Sequence, residues 1–147
     1  MMYNPDAEDT LESDFMAFFR DELGYETVNA MHETFGEGGT LRRADRTEFV
    51  LKSRLLSALV ALNPGVPMQA LTLAIETLTA DRSLKGSPVA ANQEVYDMLK
   101  DGVSVEYQDD DNITQQVLVR VVDWKNPHKN DFLAVQQLWG ETALHTR

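Results

Sequence analysis

The sequence contains no cysteine, which excludes a disulfide framework, thiolate zinc sites, iron–sulfur clusters and a cysteine nucleophile. Basic residues are also scarce: 13 Lys and Arg stand against 24 Asp and Glu, and the formal net charge is −11. That balance argues against a protein that coats nucleic acid or docks on an anionic membrane. No apolar run approaches the roughly 18 residues that cross a bilayer, and the acidic start does not resemble a signal peptide. These absences predict a cytoplasmic protein.

The residues that are present suit one globular domain. The chain has 147 residues, of which 43% are hydrophobic and 25% charged, so we expect a single domain over residues 1–147. The charge is uneven along the chain. Residues 1–40 carry ten acidic side chains and one basic one, whereas residues 41–60 carry five basic and two acidic side chains. The second segment is therefore the one positive patch in the sequence.

Four segments show the 3.6-residue apolar period of amphipathic helices. Their predicted bounds are about 9–23, 47–62, 67–80 and 92–100. The apolar stripe of the first helix comprises Leu11, Phe15, Phe18, Phe19 and Leu23. Gly24 is a natural stop for that helix, because glycine readily adopts the left-handed conformation found beyond helix ends.

The apolar period changes from 3.6 to 2 after Gly102, which predicts strands. Residues 103–107 and 117–122 should form a hairpin whose second strand is nearly buried, with an acidic turn at 109–112. Residues 132–139 read as a third strand, and a short strand could begin at Tyr25. Helices followed by a mainly antiparallel set of three strands predict an α+β fold.

No pattern in the sequence alone specifies a catalytic centre. The acidic turn fails as a calcium-binding EF-hand loop, because its sixth position is Thr114 and its twelfth is Arg120 instead of glycine and glutamate. A solvated hairpin tip is the favoured interpretation. The histidines share no metal-ligand spacing, and there is no Gly-x-Ser-x-Gly nucleophile motif.

Two groups of charged residues leave alternatives open. Arg42, Arg43 and Arg46 precede the second helix and could contact phosphates, but pairing with the acidic first helix is the favoured alternative. Glu12 and Asp14 lie early in the first helix. One of them could be a metal or water ligand, although surface acids that match the helix dipole are the more common case.

The segment from Asp123 to Trp139 is the least ordinary part of the sequence. Read physically, it is a structural corner between two strands, with side chains capping exposed backbone groups. It resembles the N-terminal region of type I restriction enzyme R subunits, which carry Asp-(Phe or Trp)-x-Asn-Pro, then Asn-Asp-Phe-Leu and a Gln-Leu-like strand. The matching signature positions here are Asp123, Trp124, Asn126, Pro127, Asn130, Asp131, Phe132 and Leu133. Further upstream matches are Leu-Gly-Tyr at 23–25, Leu-Asn-Pro at 62–64, and Gly-Val-x-Val-Glu-Tyr at 102–107.

The resemblance implies a large protein with a nuclease domain of the PD-(D/E)xK type followed by ATP-driven motor domains. Such proteins work with methyltransferase and specificity subunits and cut foreign unmodified DNA. In the nuclease, an Asp and a downstream Glu-x-Lys hold Mg²⁺ and activate water. The resemblance therefore implies Mg²⁺, ATP and DNA as ligands of the full-length protein.

The decisive catalytic motif of that family is missing from this sequence, which has no Glu-x-Lys and no Walker A loop. We therefore expect an incomplete restriction-endonuclease-like core, truncated before its cutting centre, with no cofactor, cleavage or ATPase activity of its own. Glu12 is the best position for an accessory first-helix carboxylate. The alternative is a small acidic non-enzymatic module that docks on a restriction or DNA-processing complex. An unpaired edge on the strand at 132–139 would favour dimerisation or aggregation.

Overall fold

The computed structural model describes the backbone of residues 5–141 and the side chains of residues 7–141. Four helices and four short strands form an α+β arrangement within these residues, which confirms the predicted class. The helices are α1 (Pro5–Asp21), α2 (Lys52–Leu62), α3 (Met68–Leu78) and α4 (Pro88–Asp101). The strands are β1 (Glu26–Asn29), β2 (Val103–Gln108), β3 (Thr114–Val119) and β4 (Leu133–Gln136), with a 3-10 turn at Pro127–Lys129 before β4.

These elements belong to two compact units. Within the described residues, the first unit comprises 5–51 and 132–141, and the second comprises 52–131. The first unit contains α1, β1 and β4, and the second contains the other helices and the β2–β3 hairpin. The expectation of one domain over residues 1–147 stays a prediction.

The core of the second unit lies between α2, α3, α4 and the hairpin. Strands β2 and β3 pair antiparallel from Val103 opposite Val119 to Gln108 opposite Thr114. The buried apolar core consists of Leu59, Ala70, Leu71, Ala74, Ile75, Met98, Val103, Val105 and Val119. The expectation of a nearly buried second strand is wrong, because only Val119 of β3 is buried. The helices cover one face of this sheet, so alternate side chains of β3 point to solvent.

The first unit contains a parallel pair of strands. Strands β1 and β4 pair from Glu26 opposite Leu133 to Asn29 opposite Gln136. The prediction of three mainly antiparallel strands is therefore wrong for the third strand. Within residues 5–141, the antiparallel sheet has two strands, and β4 pairs with β1 instead. A period of two identifies a strand but carries no information about its partner, which here lies about a hundred residues away.

Local hydrogen bonds explain where two helix boundaries differ from the sequence prediction. Helix α2 begins at Lys52 rather than near Thr47, because the Asp45 carboxylate accepts the Thr47 backbone N–H in a turn outside the helix. Helix α4 begins at Pro88, earlier than predicted. The Ser87 hydroxyl caps it by accepting the Ala90 N–H, and proline suits the first turn of a helix.

The apolar stripe of the first helix is mostly exposed in the structure. Phe19 is half-buried and stacks on Tyr25, but Leu11, Phe15, Phe18 and Leu23 are exposed. Gly24 has a φ of 72°, as expected for the residue that ends this helix. No helix within residues 5–141 is long and apolar enough to cross a membrane.

Candidate functional site

The signature segment forms a hydrogen-bonded corner. The Asp123 carboxylate accepts the backbone N–H groups of Lys125 at 3.1 Å and Asn126 at 2.9 Å. Asn130 closes the corner from the other side: its Oδ1 accepts the Asp123 N–H at 2.8 Å, and its Nδ2 donates to the Asp123 carbonyl at 2.9 Å and the Pro127 carbonyl at 3.1 Å. The side chains of Asp123 and Asn130 therefore form hydrogen bonds with backbone groups of the turn, in place of bonds between backbone groups.

The charge state of Asp123 follows from these contacts. The backbone N–H groups of Asn126 and Lys125 stabilise the ionised carboxylate and lower the pKa of Asp123 below its ordinary value, although desolvation opposes them. Oδ1 of this carboxylate is thus a structural acceptor within the corner.

The next signature residues anchor the chain directly before β4. Asp131 forms an ion pair with Arg54 of α2, in which Nη2 of Arg54 donates a hydrogen bond to Oδ1 of Asp131 at 2.5 Å. Phe132 stacks on Tyr25, with ring centroids 4.8 Å apart, and Tyr25 stacks on Phe19. The Phe132 carbonyl also accepts the Glu26 N–H, which sets the register of β4 against β1. These contacts assign a structural role to Asp131 and Phe132 of the Asn-Asp-Phe motif.

Arg43 is the buried centre of the first unit, with only 1% of its surface exposed. Its guanidinium makes a two-point ion pair with Glu33 at 2.6 and 2.7 Å, and donates to the carbonyls of Trp139 at 2.5 Å and Glu48 at 3.1 Å. Hydrogen bonds from the guanidinium to Glu33 raise the pKa of Arg43 above its ordinary value, against the effect of burial. Four of its five N–H donors are therefore used inside the fold.

The other two arginines of the basic segment remain at the surface. Arg46 forms an exposed ion pair with Glu141 at 3.5 Å. Arg42 is exposed and adopts a left-handed backbone conformation, with φ of 58°. The expected pairing of this segment with the acidic first helix does not describe Arg43 or Arg46, because the carboxylates of Glu33 and Glu141 belong to loops.

The structure brings Glu12 to the end of β4. Its Oε2 accepts a hydrogen bond from Gln137 Nε2 at 2.8 Å, across 125 positions of sequence. Gln137 directly follows β4 and has a φ of 57°, a left-handed conformation that is costly for a residue with a Cβ. Asp14 instead lies on the exposed side of α1, beside Leu11 and Phe15. Gln137 carries no signal in the sequence other than its place in the Gln-Leu part of the family motif.

The described side chains do not by themselves fit a magnesium ion. Within residues 7–141, no three His, Cys, Asp or Glu side chains come close enough to hold a metal. Glu12 has an amide partner, the side chain of Gln137. A hard divalent cation needs several oxygen donors, so Glu12 by itself is not sufficient to hold one.

Comparison with known proteins places the chain in a family. The model of the type I restriction enzyme R protein N terminus matches residues 6–147. The chain therefore belongs to the family of type I restriction enzyme R protein N termini, which confirms the resemblance drawn from the motifs around Asp123.

One curated relative is the type I restriction enzyme HindI endonuclease subunit of Haemophilus influenzae, which is 37% identical over 101 residues. The alignment covers 68% of this chain but 9% of that protein, so the chain corresponds to a small part of its relative. No solved structure matches this chain.

Proposed function

We propose that this chain provides the opening part of the nuclease region in a type I restriction R subunit. In the full-length protein, that region would take part in Mg²⁺- and ATP-dependent cleavage of foreign unmodified DNA. The observation that carries the proposal is the family match over residues 6–147. The chain would act inside a cytoplasmic complex with the methyltransferase and specificity subunits.

The proposal includes the absence of cleavage by the chain alone. Nucleases of this type need two carboxylates and a lysine around Mg²⁺. The sequence has no Glu-x-Lys, and the described residues bring no three potential ligands together. We propose that the carboxylates and the lysine of the cutting centre come from other residues of the full-length protein.

Glu12 is assigned the role of an accessory carboxylate. Its hydrogen bond to Gln137 holds the carboxylate of α1 beside the residue that follows β4, and the family motif continues along this strand. Asp14 is the weaker candidate, since it faces the exposed groove of α1. The signature residues Asn126, Pro127 and Asn130 would keep the preceding corner rigid.

Phosphate contact is assigned to Arg42 and Arg46, which keep exposed guanidinium groups. The sequence also predicted a phosphate contact for Arg43, but its N–H groups already donate to Glu33 and to two backbone carbonyls. We therefore give Arg43 a supporting role: it holds the loop from which Arg42 projects. A DNA contact of two exposed arginines is weak alone, and the net charge of −11 makes a larger complex necessary.

The purified chain should be incubated with unmodified plasmid DNA, Mg²⁺ and ATP. We expect intact DNA and no ATP hydrolysis. In parallel, immobilised chain should retain purified methyltransferase and specificity subunits. Cleavage that Glu12→Gln abolishes would overturn the proposal that the chain lacks a cutting centre, and failure to retain either subunit would overturn the proposed complex.

A second candidate is an acidic non-enzymatic module that docks on a restriction or DNA-processing complex. The observation that favours it is the net charge of −11, with ten acidic residues among the first 40. Such a module would compete with DNA for a basic surface. Release of labelled DNA from the methyltransferase complex by added chain would favour this candidate, whereas binding without DNA release would favour the nuclease segment.

A further inference from the structure

The outer face of α1 carries an unusual apolar stripe. Leu11, Phe15 and Phe18 are spaced four and three residues apart, so their side chains project from one side of the helix. Their exposed fractions are 57%, 56% and 49%. Together with Asp14 they line a shallow groove of about 330 Å³. A row of three large apolar side chains at this exposure marks an interaction surface more often than isolated exposed residues do.

The stripe is attached to a rigid support. Phe18 packs edge-on against Phe19, with ring centroids 6.2 Å apart, and Phe19 continues through Tyr25 to Phe132 in a stack of aromatic rings. The flank of the helix next to the stripe is held by the hydrogen bond between Glu12 and Gln137. A helix fixed in this way presents its outer side chains with little loss of conformational freedom on binding.

The charge around the stripe selects the kind of partner. Helix α1 contains six acidic residues and one basic residue, Arg20. If Phe15 and Phe18 occupy the a and d positions of a heptad, Asp14 and Asp21 fall at successive g positions, which face a partner helix and set its charge preference. Asp21 already pairs with Arg20, so the charge preference rests mainly on Asp14. A second copy of α1 would place acidic side chains against acidic side chains, so this face is poorly suited to self-association.

We propose that the Leu11–Phe15–Phe18 face of α1 docks an amphipathic helix of a partner protein, with an apolar stripe flanked by lysine or arginine. The apolar side chains of the partner would lie in the groove, and its basic side chains would meet Asp14, which lines that groove. This mode is helix-in-groove recognition, in which anchors at i, i+4 and i+7 provide affinity and flanking charges provide specificity. The proposal does not depend on the nuclease assignment.

The test measures binding of synthetic helical peptides to the full chain by fluorescence anisotropy. The probe has about three heptads, with Leu at a and d and Lys at e and g. There are two matched control peptides. One carries Glu at e and g, and the other contains the same residues as the probe in scrambled order. We expect the basic amphipathic peptide to bind at least about tenfold more tightly than either control.

Variants of the chain locate the site. Phe15→Ser should weaken binding of the basic peptide by at least about tenfold. Val89→Ser, which removes another highly exposed apolar side chain from α4, should leave it unchanged. Asp14→Lys should weaken the basic peptide and strengthen the acidic one. Circular dichroism should first show that each variant retains the helical content of the parent chain.

Three results would overturn the proposal. Equal binding of the scrambled peptide would show that charge alone drives association. Binding that survives both Phe15→Ser and Asp14→Lys would place the site elsewhere. Sedimentation showing a dimer that Phe15→Ser dissociates would make a second copy of this chain the occupant of the face.

Discussion

The side chain of Asn63 satisfies both backbone hydrogen-bonding groups of Arg120. Its Oδ1 accepts the Arg120 N–H at 2.7 Å, and its Nδ2 donates to the Arg120 carbonyl at 2.8 Å. The same Nδ2 donates to the Leu59 carbonyl at 2.9 Å, at the end of α2. Asn63 is buried. It therefore links the end of the second helix to the chain that leaves β3, and this gives the Asn of the Leu-Asn-Pro motif a structural function.

Replacing Asn63 by alanine should destabilise the protein by about 2–3 kcal/mol, because buried backbone groups would lose their partners. Urea unfolding followed by circular dichroism measures the change. Asn92→Ala, at an exposed position of α4, is the matched control. A change of the same small size in both variants would show that the Asn63 bridge contributes nothing.

Removing one partner of the buried ion pair between Glu33 and Arg43 should be more damaging. Their side chains are 5% and 1% exposed, so Glu33→Gln leaves a buried guanidinium without its counter-charge and should cost about 3–5 kcal/mol. Asp21→Asn breaks the exposed pair with Arg20 and should leave the stability nearly unchanged, because solvent screens an exposed ion pair. Thermal unfolding compares the two variants. Similar melting temperatures would contradict the assigned importance of burial.

Arg42→Gly should stabilise the protein. The φ of Arg42 is 58°, and the left-handed conformation costs a residue with a Cβ about 1–2 kcal/mol relative to the ordinary helical one, a cost that glycine avoids. Part of this gain is lost because glycine has more freedom in the unfolded chain. We expect a net gain of about 0.5–1 kcal/mol in urea unfolding. Arg46→Gly is the matched control and should not stabilise. A loss of stability in Arg42→Gly would mean that the guanidinium makes contacts that outweigh the strain.

The corner at Asp123 should make stability depend on acid. The folded-state pKa of Asp123 lies below the ordinary value of 3.8, chiefly because of the Asn126 N–H. Its contribution to stability is therefore present above about pH 3.8 and is lost as pH falls through the folded pKa. Asp123→Asn should flatten the stability profile in this acidic range. Asp110→Asn, at the hairpin tip away from the corner, should leave that part of the profile in place. A profile unchanged by Asp123→Asn would refute the assignment.

The parallel pair of β1 and β4 should show the behaviour of an open sheet edge. Its sheet has two strands within residues 5–141, so outer backbone groups are available to another strand. We expect concentration-dependent association in sedimentation experiments. Val135→Lys places a charge on β4 and should reduce that association, whereas Val117→Lys on β3 is the control. A monomer at all concentrations would contradict the expectation.

The candidate site was only partly predictable from the sequence. Asp123 and Asn130 act as turn-capping side chains, as their short-range pattern indicated. The bond between Glu12 and Gln137 joins opposite ends of the chain, and no local pattern connects two residues 125 positions apart. Arg43 has the same charge as its neighbour Arg42, yet it is buried while Arg42 is exposed. That difference arises from packing against Glu33 and Trp139, which composition does not encode.

The sequence by itself determined the elements whose causes are local. Apolar periods specified four helices and a hairpin, glycine ended α1, and the motif around Asp123 specified the family. The tertiary structure decided which strand β4 joins, which arginine becomes the buried centre of the first unit, and which apolar side chains of α1 stay exposed. Periodicity reports the shape of one segment, whereas pairing and burial depend on which distant segments meet. For that reason the amphipathic first helix was predictable, but its uncovered face was not.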